Sequence, residues 1–133
     1  METVLEIIVR PTEIDVNGHV NNAKFVEYLE WGREEWYERN GLHYDRLQAM
    51  GAVTVTVNVN LNYRRECLQG ERLTIVTRPE KLGRTSFTLA QQILKADGAV
   101  AADATVVLVT IDPTSRKPCV VPVELARAFE AAK

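Results

Sequence analysis

The sequence predicts an α+β fold in which one five-stranded antiparallel sheet wraps around one long helix. Three observations carry this prediction. Apolar residues recur every three or four positions over residues 22–39, which is typical of an amphipathic helix. Strict alternation of apolar and polar residues over 53–63 is typical of a strand with one buried face. The other strand-like stretches follow the helix and do not alternate with further helices, which favours α+β over a doubly wound sheet.

The first half of the chain predicts a strand, a loop and the helix, in that order. Residues 3–10 are rich in β-formers and stop at a proline, as a first strand would. Residues 12–21 contain turn formers around an Asn-Gly pair and predict a loop. The helix over 22–39 closes at a second Asn-Gly pair, and residues 43–50 predict a short helical turn.

Four further strands are predicted after the helix, over residues 53–63, 71–79, 84–95 and 99–112. We expect tight turns to join them, because Lys-Leu-Gly and Ala-Asp-Gly separate the last three and Asp-Gly is a strong hairpin signal. In the strand over 53–63 we expect the valines on one face and the Thr and Asn side chains on the other. A short helix over Glu124–Ala132 ends the chain.

Composition predicts one ordinary globular domain over residues 1–133. Apolar residues make up 46% of the chain and charged residues 26%, which is close to the average for globular proteins. The net charge is −2, from 16 Lys and Arg against 18 Asp and Glu, which argues against a general nucleic-acid binder. No stretch approaches the roughly 18 apolar residues of a membrane span.

Cysteine usage and the N-terminus predict a cytoplasmic protein without a metal. The two cysteines are isolated and, with only two histidines, do not form a zinc pattern. Reduced thiols in the cytoplasm are therefore the expected state of the cysteines. The first residues lack the basic and apolar segments of a secretory signal.

The loop before the helix contains the residues best suited to chemistry. Residues 15–22 read Asp-Val-Asn-Gly-His-Val-Asn-Asn and lead directly into the helix. The first N–H groups of a helix lack intrahelical partners and carry partial positive charge, so they can hold an oxyanion. Asp15 lies a few residues upstream and could face the same point. A carboxylate beside such donors is suited to attack on a carbonyl group.

These residues also resemble a known family. The segment from Asp15 to Phe25, which reads DVNGHVNNAKF, resembles the catalytic loop of hotdog-fold thioesterases. The closest group is the 4-hydroxybenzoyl-CoA thioesterase family with its acyl-CoA thioesterase relatives, and the loop is also similar to that of acyl-ACP thioesterases. Four later segments resemble the family in the same order: Leu61–Arg65, Gly70–Leu73, Leu82–Phe87 and Asp97-Gly98. The resemblance therefore covers most of the chain.

The resemblance implies a catalytic role for Asp15, either as general base on water or as nucleophile forming an acyl-enzyme anhydride. The backbone N–H of Asn22 would polarise the thioester carbonyl. In acyl-ACP thioesterases the residues matching Asn17 and His19 contribute to the site. His19 could orient substrate, protonate the leaving thiolate or only hydrogen-bond the loop.

The resemblance further implies where the substrate binds. The residues that would contact coenzyme A are Tyr63, Arg64, Arg65, Arg84, Thr85 and Ser86, and Arg suits phosphates because it binds them in bidentate fashion. Coenzyme A is then part of the substrate, and no cofactor is expected. With an acyl carrier protein as donor, the same cations would meet its acidic surface. Family members pair their sheets and place the site between subunits, so a homodimer or a tetramer built as a dimer of dimers is implied.

Each of these residues also has a simpler structural explanation. Asp15 and Asn17 favour turns, and Asn22 favours a helix N-terminus. The arginines could be solvated strand ends. The helix glutamates, Glu27, Glu30, Glu34 and Glu35, read as a solvated face, although one thioesterase subgroup places its catalytic Glu on this helix.

Two functions from other classes remain open on the sequence. A non-catalytic module that binds or senses acyl-CoA could use the same fold, because a fold does not determine a function. A dehydratase would pair a His with a carboxylate, and both Asp15 and His19 are present. The preferred acyl group depends on pocket depth, which residues such as Phe25, Val57 and Val59 would set.

Overall fold

The computed structural model describes residues 1–130, which form five strands and three helices. The strands are β1 (Thr3–Ile8), β2 (Val53–Tyr63), β3 (Arg72–Leu82), β4 (Ser86–Lys95) and β5 (Val100–Ile111). The helices are α1 (Asn22–Arg39), α2 (Tyr44–Ala49) and α3 (Val123–Glu130). The long helix and the long strand match the predicted bounds, whereas the last two residues of the predicted terminal helix lie outside the described residues. Within residues 1–130, no helix is both long and apolar enough to cross a membrane.

The five strands form one antiparallel sheet in the order β1-β3-β4-β5-β2. The expectation that tight turns join all four later strands is wrong for β2, which pairs with β5 and not with β3. Residues 64–71 instead cross one end of the sheet, where Cys67 accepts a hydrogen bond from Val20 N (2.8 Å). Gly70 N donates to Val9 O (2.9 Å) in the same crossing. The crossing leaves β2 as a sheet edge.

A β-bulge at Val57 overturns the expected division of β2 into an apolar and a polar face. Thr56 lies opposite Leu108 and Asn58 opposite Val107, so Val57 has no partner in the ladder. An extra residue reverses the side on which every later side chain lies. The face that packs towards α1 therefore carries Thr54, Thr56, Val59, Leu61 and Tyr63. Periodicity alone could not detect the bulge, because the sequence alternates without interruption through it.

Helix α1 lies very close to the sheet at Gly32. A Cβ atom at this position would overlap the Ile75 side chain and stand 3.0 Å from Gln91 Nε2 and 3.1 Å from Thr77 Oγ1. Gln91 is 1% exposed, and its amide donates to Leu29 O (2.9 Å) and Thr77 Oγ1 (2.8 Å). The missing side chain at Gly32 therefore leaves room for a polar network between helix and sheet.

Two hydrogen bonds fix the direction of α1 relative to β2. The Tyr63 hydroxyl donates to Asn22 O (2.9 Å) at the start of the helix. The Tyr37 and Thr54 hydroxyls are bonded (3.0 Å) near its end. Helix and strand are therefore antiparallel, and the N-terminus of α1 lies at the Tyr63 end of β2.

Gly32→Ala is expected to lower the free energy of unfolding. Alanine gains about 1 kcal/mol of helix propensity over glycine, but forcing a methyl group into a packed core typically costs about 1–3 kcal/mol. We expect a net loss because the overlapped neighbour, Ile75, is itself fully buried. Urea unfolding of this variant and of Glu38→Ala, at an exposed position on the same helix, measures the difference. A Gly32→Ala protein as stable as Glu38→Ala would contradict the close approach.

Candidate active site

The loop before α1 is a compact hairpin closed by backbone hydrogen bonds. Asp15 N donates to His19 O (3.0 Å) and Gly18 N donates to Asp15 O (3.0 Å). Gly18 has φ +82°, a left-handed conformation that a glycine adopts without strain. The Asn-Gly pair seen in the sequence therefore makes the turn that brings Asp15 beside the start of the helix.

Both carboxylate oxygens of Asp15 accept hydrogen bonds. Oδ1 accepts from Asn17 N (2.9 Å) and Oδ2 from Asn21 Nδ2 (3.3 Å). Asp15 is partly exposed, so the carboxylate is oriented by the loop and still open to solvent. The contribution of Asn17 is its backbone N–H, and the residue is itself exposed.

The first turn of α1 presents an unused N–H group. Asn21 caps the helix, because its Oδ1 accepts from Ala23 N (2.9 Å) and its carbonyl accepts from Lys24 N (2.9 Å). Among residues 1–130, no group accepts a hydrogen bond from Asn22 N. Asn21 thus links the two parts of the site, holding the Asp15 carboxylate with its amide and the helix N-terminus with its oxygen.

A cavity of about 310 Å³ opens in front of this N-terminus. It is lined by His19, Val20, Asn22, Phe25, Tyr63, Arg64, Arg65 and Glu66. The His19 Nδ1 lies 3.1 Å from Val20 O, which can only accept, so Nδ1 carries the proton and Nε2 of the neutral ring is an acceptor. The Phe25 and Tyr63 rings are in contact, with centroids 5.3 Å apart and their planes tilted by 37°.

The two arginines at the end of β2 differ in their availability. Arg64 forms an ion pair with Asp103 (2.9 Å), which raises the pKa of the guanidinium and lowers that of the carboxyl. Arg65 forms no ion pair with any residue among 1–130 and is exposed at the mouth of the cavity. Of the two, Arg65 is the cation that remains free for a ligand.

The remaining predicted binding residues, Arg84, Thr85 and Ser86, lie at the opposite end of the sheet. Ser86 is opposite Val109 on β5, whereas Tyr63 is opposite Ala102. These positions on β5 are separated by about 23 Å at 3.3 Å per residue. One chain therefore places His19, Asn22, Tyr63, Arg64 and Arg65 on the cavity and keeps the other three apart from them. Asp15 and Asn17 lie in the adjoining hairpin, off the cavity lining, and Asp15 is joined to the helix N-terminus through Asn21.

Sequence reasoning missed the buried supports of the loop. Glu13 is 6% exposed and accepts from the Tyr28 hydroxyl (2.8 Å) and Arg10 N (2.8 Å). Burial, with the neighbouring Glu13 carboxyl, raises the pKa of Tyr28 well above its usual value. Cys67 O holds Val20 N at the other side of the loop. Only the tertiary pairing identifies these residues, because a loop Glu and a core Tyr are unremarkable in sequence.

Comparison with known proteins identifies the relatives of this chain. Residues 9–129 match the thioesterase-like superfamily. The long-chain acyl-CoA thioesterase FadM of Escherichia coli is 36% identical over 126 residues, which are 94% of this chain and 95% of that protein.

Two solved structures have the same architecture. The probable thioesterase YbaW of Escherichia coli is 34% identical, with a TM-score of 0.82 over 97% of both chains. The Staphylococcus aureus protein SAV2348, solved in complex with CoA, is 17% identical, with a TM-score of 0.92 over 99% of this chain and 84% of that one. The second likeness concerns the fold alone.

Cys67 is expected to react with thiol reagents only after unfolding. Burial raises the pKa of its thiol to about 11 from an ordinary 9.0, and the residue is fully buried. The buried thiol therefore stabilises the folded state while it is neutral. This contribution to the free energy of unfolding is complete below about pH 9 and is lost as the pH rises towards 11. In the native Cys119→Ser variant, Cys67 should not react with Ellman's reagent at pH 8. The same variant unfolded in guanidinium should release one equivalent of the reagent's thiolate. Rapid labelling of Cys67 in the native protein would contradict the burial of this residue in the crossing between β2 and β3.

Proposed function

The chain belongs to the thioesterase-like superfamily, and we propose on that basis that it is an acyl-CoA thioesterase with its catalytic centre at the start of α1. The single observation that carries the proposal is the juxtaposition, through Asn21, of an oriented Asp15 carboxylate and the open N–H of Asn22. In this proposal residues 1–133 are one hotdog domain with α1 as its central helix, located in the cytoplasm. The reaction requires no metal or cofactor.

In the proposed reaction, the thioester carbonyl oxygen first accepts a hydrogen bond from the Asn22 N–H. Water attacks the carbonyl carbon while Asp15 takes its proton, and the tetrahedral oxyanion is stabilised by the helix N-terminus. Collapse breaks the C–S bond and releases the acid and the thiolate of coenzyme A, which regains a proton. His19 Nε2 lies on the same cavity and would deliver that proton once the ring is protonated. Direct attack by Asp15, giving an anhydride that water then cleaves, is the alternative route.

We further propose that the site is shared between two chains. β2 is a sheet edge, and its Val57 and Val59 are 56% and 39% exposed. Two β2 strands paired antiparallel about a two-fold axis place the Tyr63 end of one chain beside the Val53 end of the other. The turn Arg84–Ser86 lies at that second end, because Thr85 O accepts from Thr110 N, whose residue is opposite Thr54. The cations absent from one chain's site would thus come from its partner.

Asp15→Asn and Asp15→Ala are expected to reduce kcat for thioester hydrolysis by about 100-fold or more, the range for a lost acid–base group. Thiol release is measured on acyl-CoAs from acetyl to palmitoyl, together with benzoyl, hydroxybenzoyl and hydroxyphenylacetyl thioesters. Palmitoyl-CoA is the first to try, because the FadM relative is a long-chain enzyme. Acyl-ACP is tested in parallel as an alternative donor.

Asp97→Asn is the matched control, because its Oδ1 accepts from Ala99 N (2.8 Å) in the same type of turn as Asp15. It should retain wild-type turnover. Full turnover in both Asp15 variants would remove this carboxylate from the mechanism. Binding of CoA thioesters and acyl-ACP without turnover of either would favour a sensing module.

Arg84→Glu is expected to raise KM for acyl-CoA about tenfold, equivalent to about 1.4 kcal/mol, and to leave kcat nearly unchanged. The shared site makes a stronger prediction for mixed dimers. Co-expressed Asp15→Asn and Arg84→Glu chains should form one intact site per mixed dimer and regain activity at low substrate concentration. Arg127→Glu, the same charge change on α3, should behave as wild type. A mixture no more active than the average of its parents would show that Arg84 does not serve the partner's site.

A further inference from the structure

Arg33 is a buried cation without a charged partner among the residues that the structure describes. Its side chain is 8% exposed, and Nη1 donates to the neutral Oε1 of Gln91 at 3.1 Å. No carboxylate among residues 1–130 lies within 4 Å of its guanidinium. Removing a guanidinium from water is costly unless hydrogen bonds and an opposite charge compensate it. Among the described residues Thr3 Oγ1 is the one buried side-chain polar atom without a partner, so the Arg33 donors not bonded to Gln91 reach the surface, where a second molecule could meet them.

Arg33 belongs to the side of α1 that faces the open edge strand. Val26, Glu30, Arg33 and Tyr37 are spaced four, three and four residues apart, so they form one stripe along the helix. Tyr37 at the end of this stripe is bonded to Thr54 of β2, which fixes the direction in which the stripe points. Val26 on the helix and Val59 on the strand are 40% and 39% exposed. The stripe thus runs beside an apolar surface at the edge of the sheet.

Glu30 on the same stripe carries the negative charge that an ion pair with Arg33 requires. It is exposed, and within residues 1–130 it takes part in no ion pair. Its negative charge acts on Arg33 from a distance, as that of Glu34 also does, but neither carboxylate forms an ion pair with the guanidinium. A cation and an anion on one helix face, neither of them in an ion pair, are complementary to a second copy of the same face turned through a two-fold axis.

We propose that Arg33 of each chain pairs with Glu30 of a second copy, so that two reciprocal ion pairs hold the α1 helices of a dimer together. This inference rests on the shared site proposed above and specifies the contact that aligns its two halves. The guanidinium would then keep its bond to Gln91 and give its outer donors to the partner's carboxylate, a charge-assisted arrangement.

The register of helix and strand agrees with this pairing. Reciprocal contacts require the two-fold axis to pass midway between Glu30 and Arg33 on α1. Interpolation between the two anchoring hydrogen bonds, Asn22 to Tyr63 and Tyr37 to Thr54, places this midpoint level with Val57. Val57 is close to the middle of β2, where the axis passes when two β2 strands pair antiparallel over their full length. One axis therefore serves both the strands and the helices.

The test uses charge reversal and the mass in solution. Glu30→Arg and Arg33→Glu are each expected to weaken the dimer at least 100-fold, measured by analytical ultracentrifugation of the full chain. In a dimer of two Glu30→Arg chains, each contact would place a cation against a cation. In a dimer of two Arg33→Glu chains, each contact would place a carboxylate against a carboxylate. A mixture of the two variants should restore a dimer containing one chain of each, because both contacts then join opposite charges. The Glu30→Arg/Arg33→Glu double variant should dimerise with itself for the same reason.

Glu38→Arg is the matched control, because this exposed residue of α1 carries the same charge but lies off the stripe and five residues from Arg33. It should dimerise as wild type. Should Arg33→Glu fail to fold by circular dichroism, Arg33→Met removes the charge and should give a folded chain with a weakened dimer. Dimers that survive Glu30→Arg, or a mixture that stays monomeric although both variants fold, would overturn the reciprocal pair.

A further variant distinguishes an error in the proposed shared site from an error in the proposed reciprocal ion pair. Val57→Pro in the edge strand should dissociate the dimer whatever holds the helices together. If this variant is monomeric while Glu30→Arg stays dimeric, the shared site stands and the helix pairing is wrong. A wild-type chain that is monomeric and fully active would overturn both, and would leave only the chemistry of Asp15.

Discussion

The close approach of α1 to the sheet at Gly32 determines most of what the molecule presents to a ligand. A helix that lies this near the strands buries the groups beside the contact, and Gln91 satisfies them by bonding Leu29 O and Thr77 Oγ1. The same approach sets the height of the whole helix over β3 and β4. The hydroxyls of Tyr63 and Tyr37 then reach across to lock the two ends. A side chain at position 32 would lift the helix and displace its N-terminus together with the N–H of Asn22.

The proposed catalytic centre is assembled from very few local elements. A seven-residue hairpin reverses the direction of the chain, so that the two ends of the hairpin lie side by side. One asparagine, Asn21, both caps the helix and orients Asp15. The loop itself is held from below by Glu13 and by Cys67 O, neither of which lies on the cavity. Positioning therefore depends on buried contacts around the loop, while the loop contributes the reactive groups. This division explains how a short exposed segment can hold a carboxylate in one orientation.

The distribution of cations explains why one chain is an incomplete enzyme in this proposal. The arginines at the end of β2 stand at the cavity, and one of them is already paired with Asp103. The turn at Arg84 lies a sheet length away because β4 and β5 run antiparallel to each other. In the proposed dimer, a two-fold axis through the middle of β2 would bring the distant turn back, and the same axis would place Arg33 beside the partner's Glu30. Substrate binding and subunit pairing thus have a common geometric origin.

The sequence by itself determined the local structure and the chemistry of the loop. The apolar stripe over 22–39 and the alternation over 53–63 define their elements through contacts between near neighbours, and both ranges are confirmed. The candidate residues Asp15, Asn17, His19 and Asn22 are likewise neighbours in sequence, so a local motif could indicate them. Their catalytic roles remain predictions.

Only the tertiary structure decided how distant segments meet. The pairing of β2 with β5, the bulge at Val57 and the separation of Arg84 from Asp15 each depend on which strand lies beside which. Strand alternation carries no information about the partner strand, and it continues unbroken through a bulge. The burial of Arg33 beside Gln91 is of the same kind, because it joins residues 58 positions apart. Local pattern specifies the elements and their chemistry, whereas packing across the sheet specifies which groups share a site.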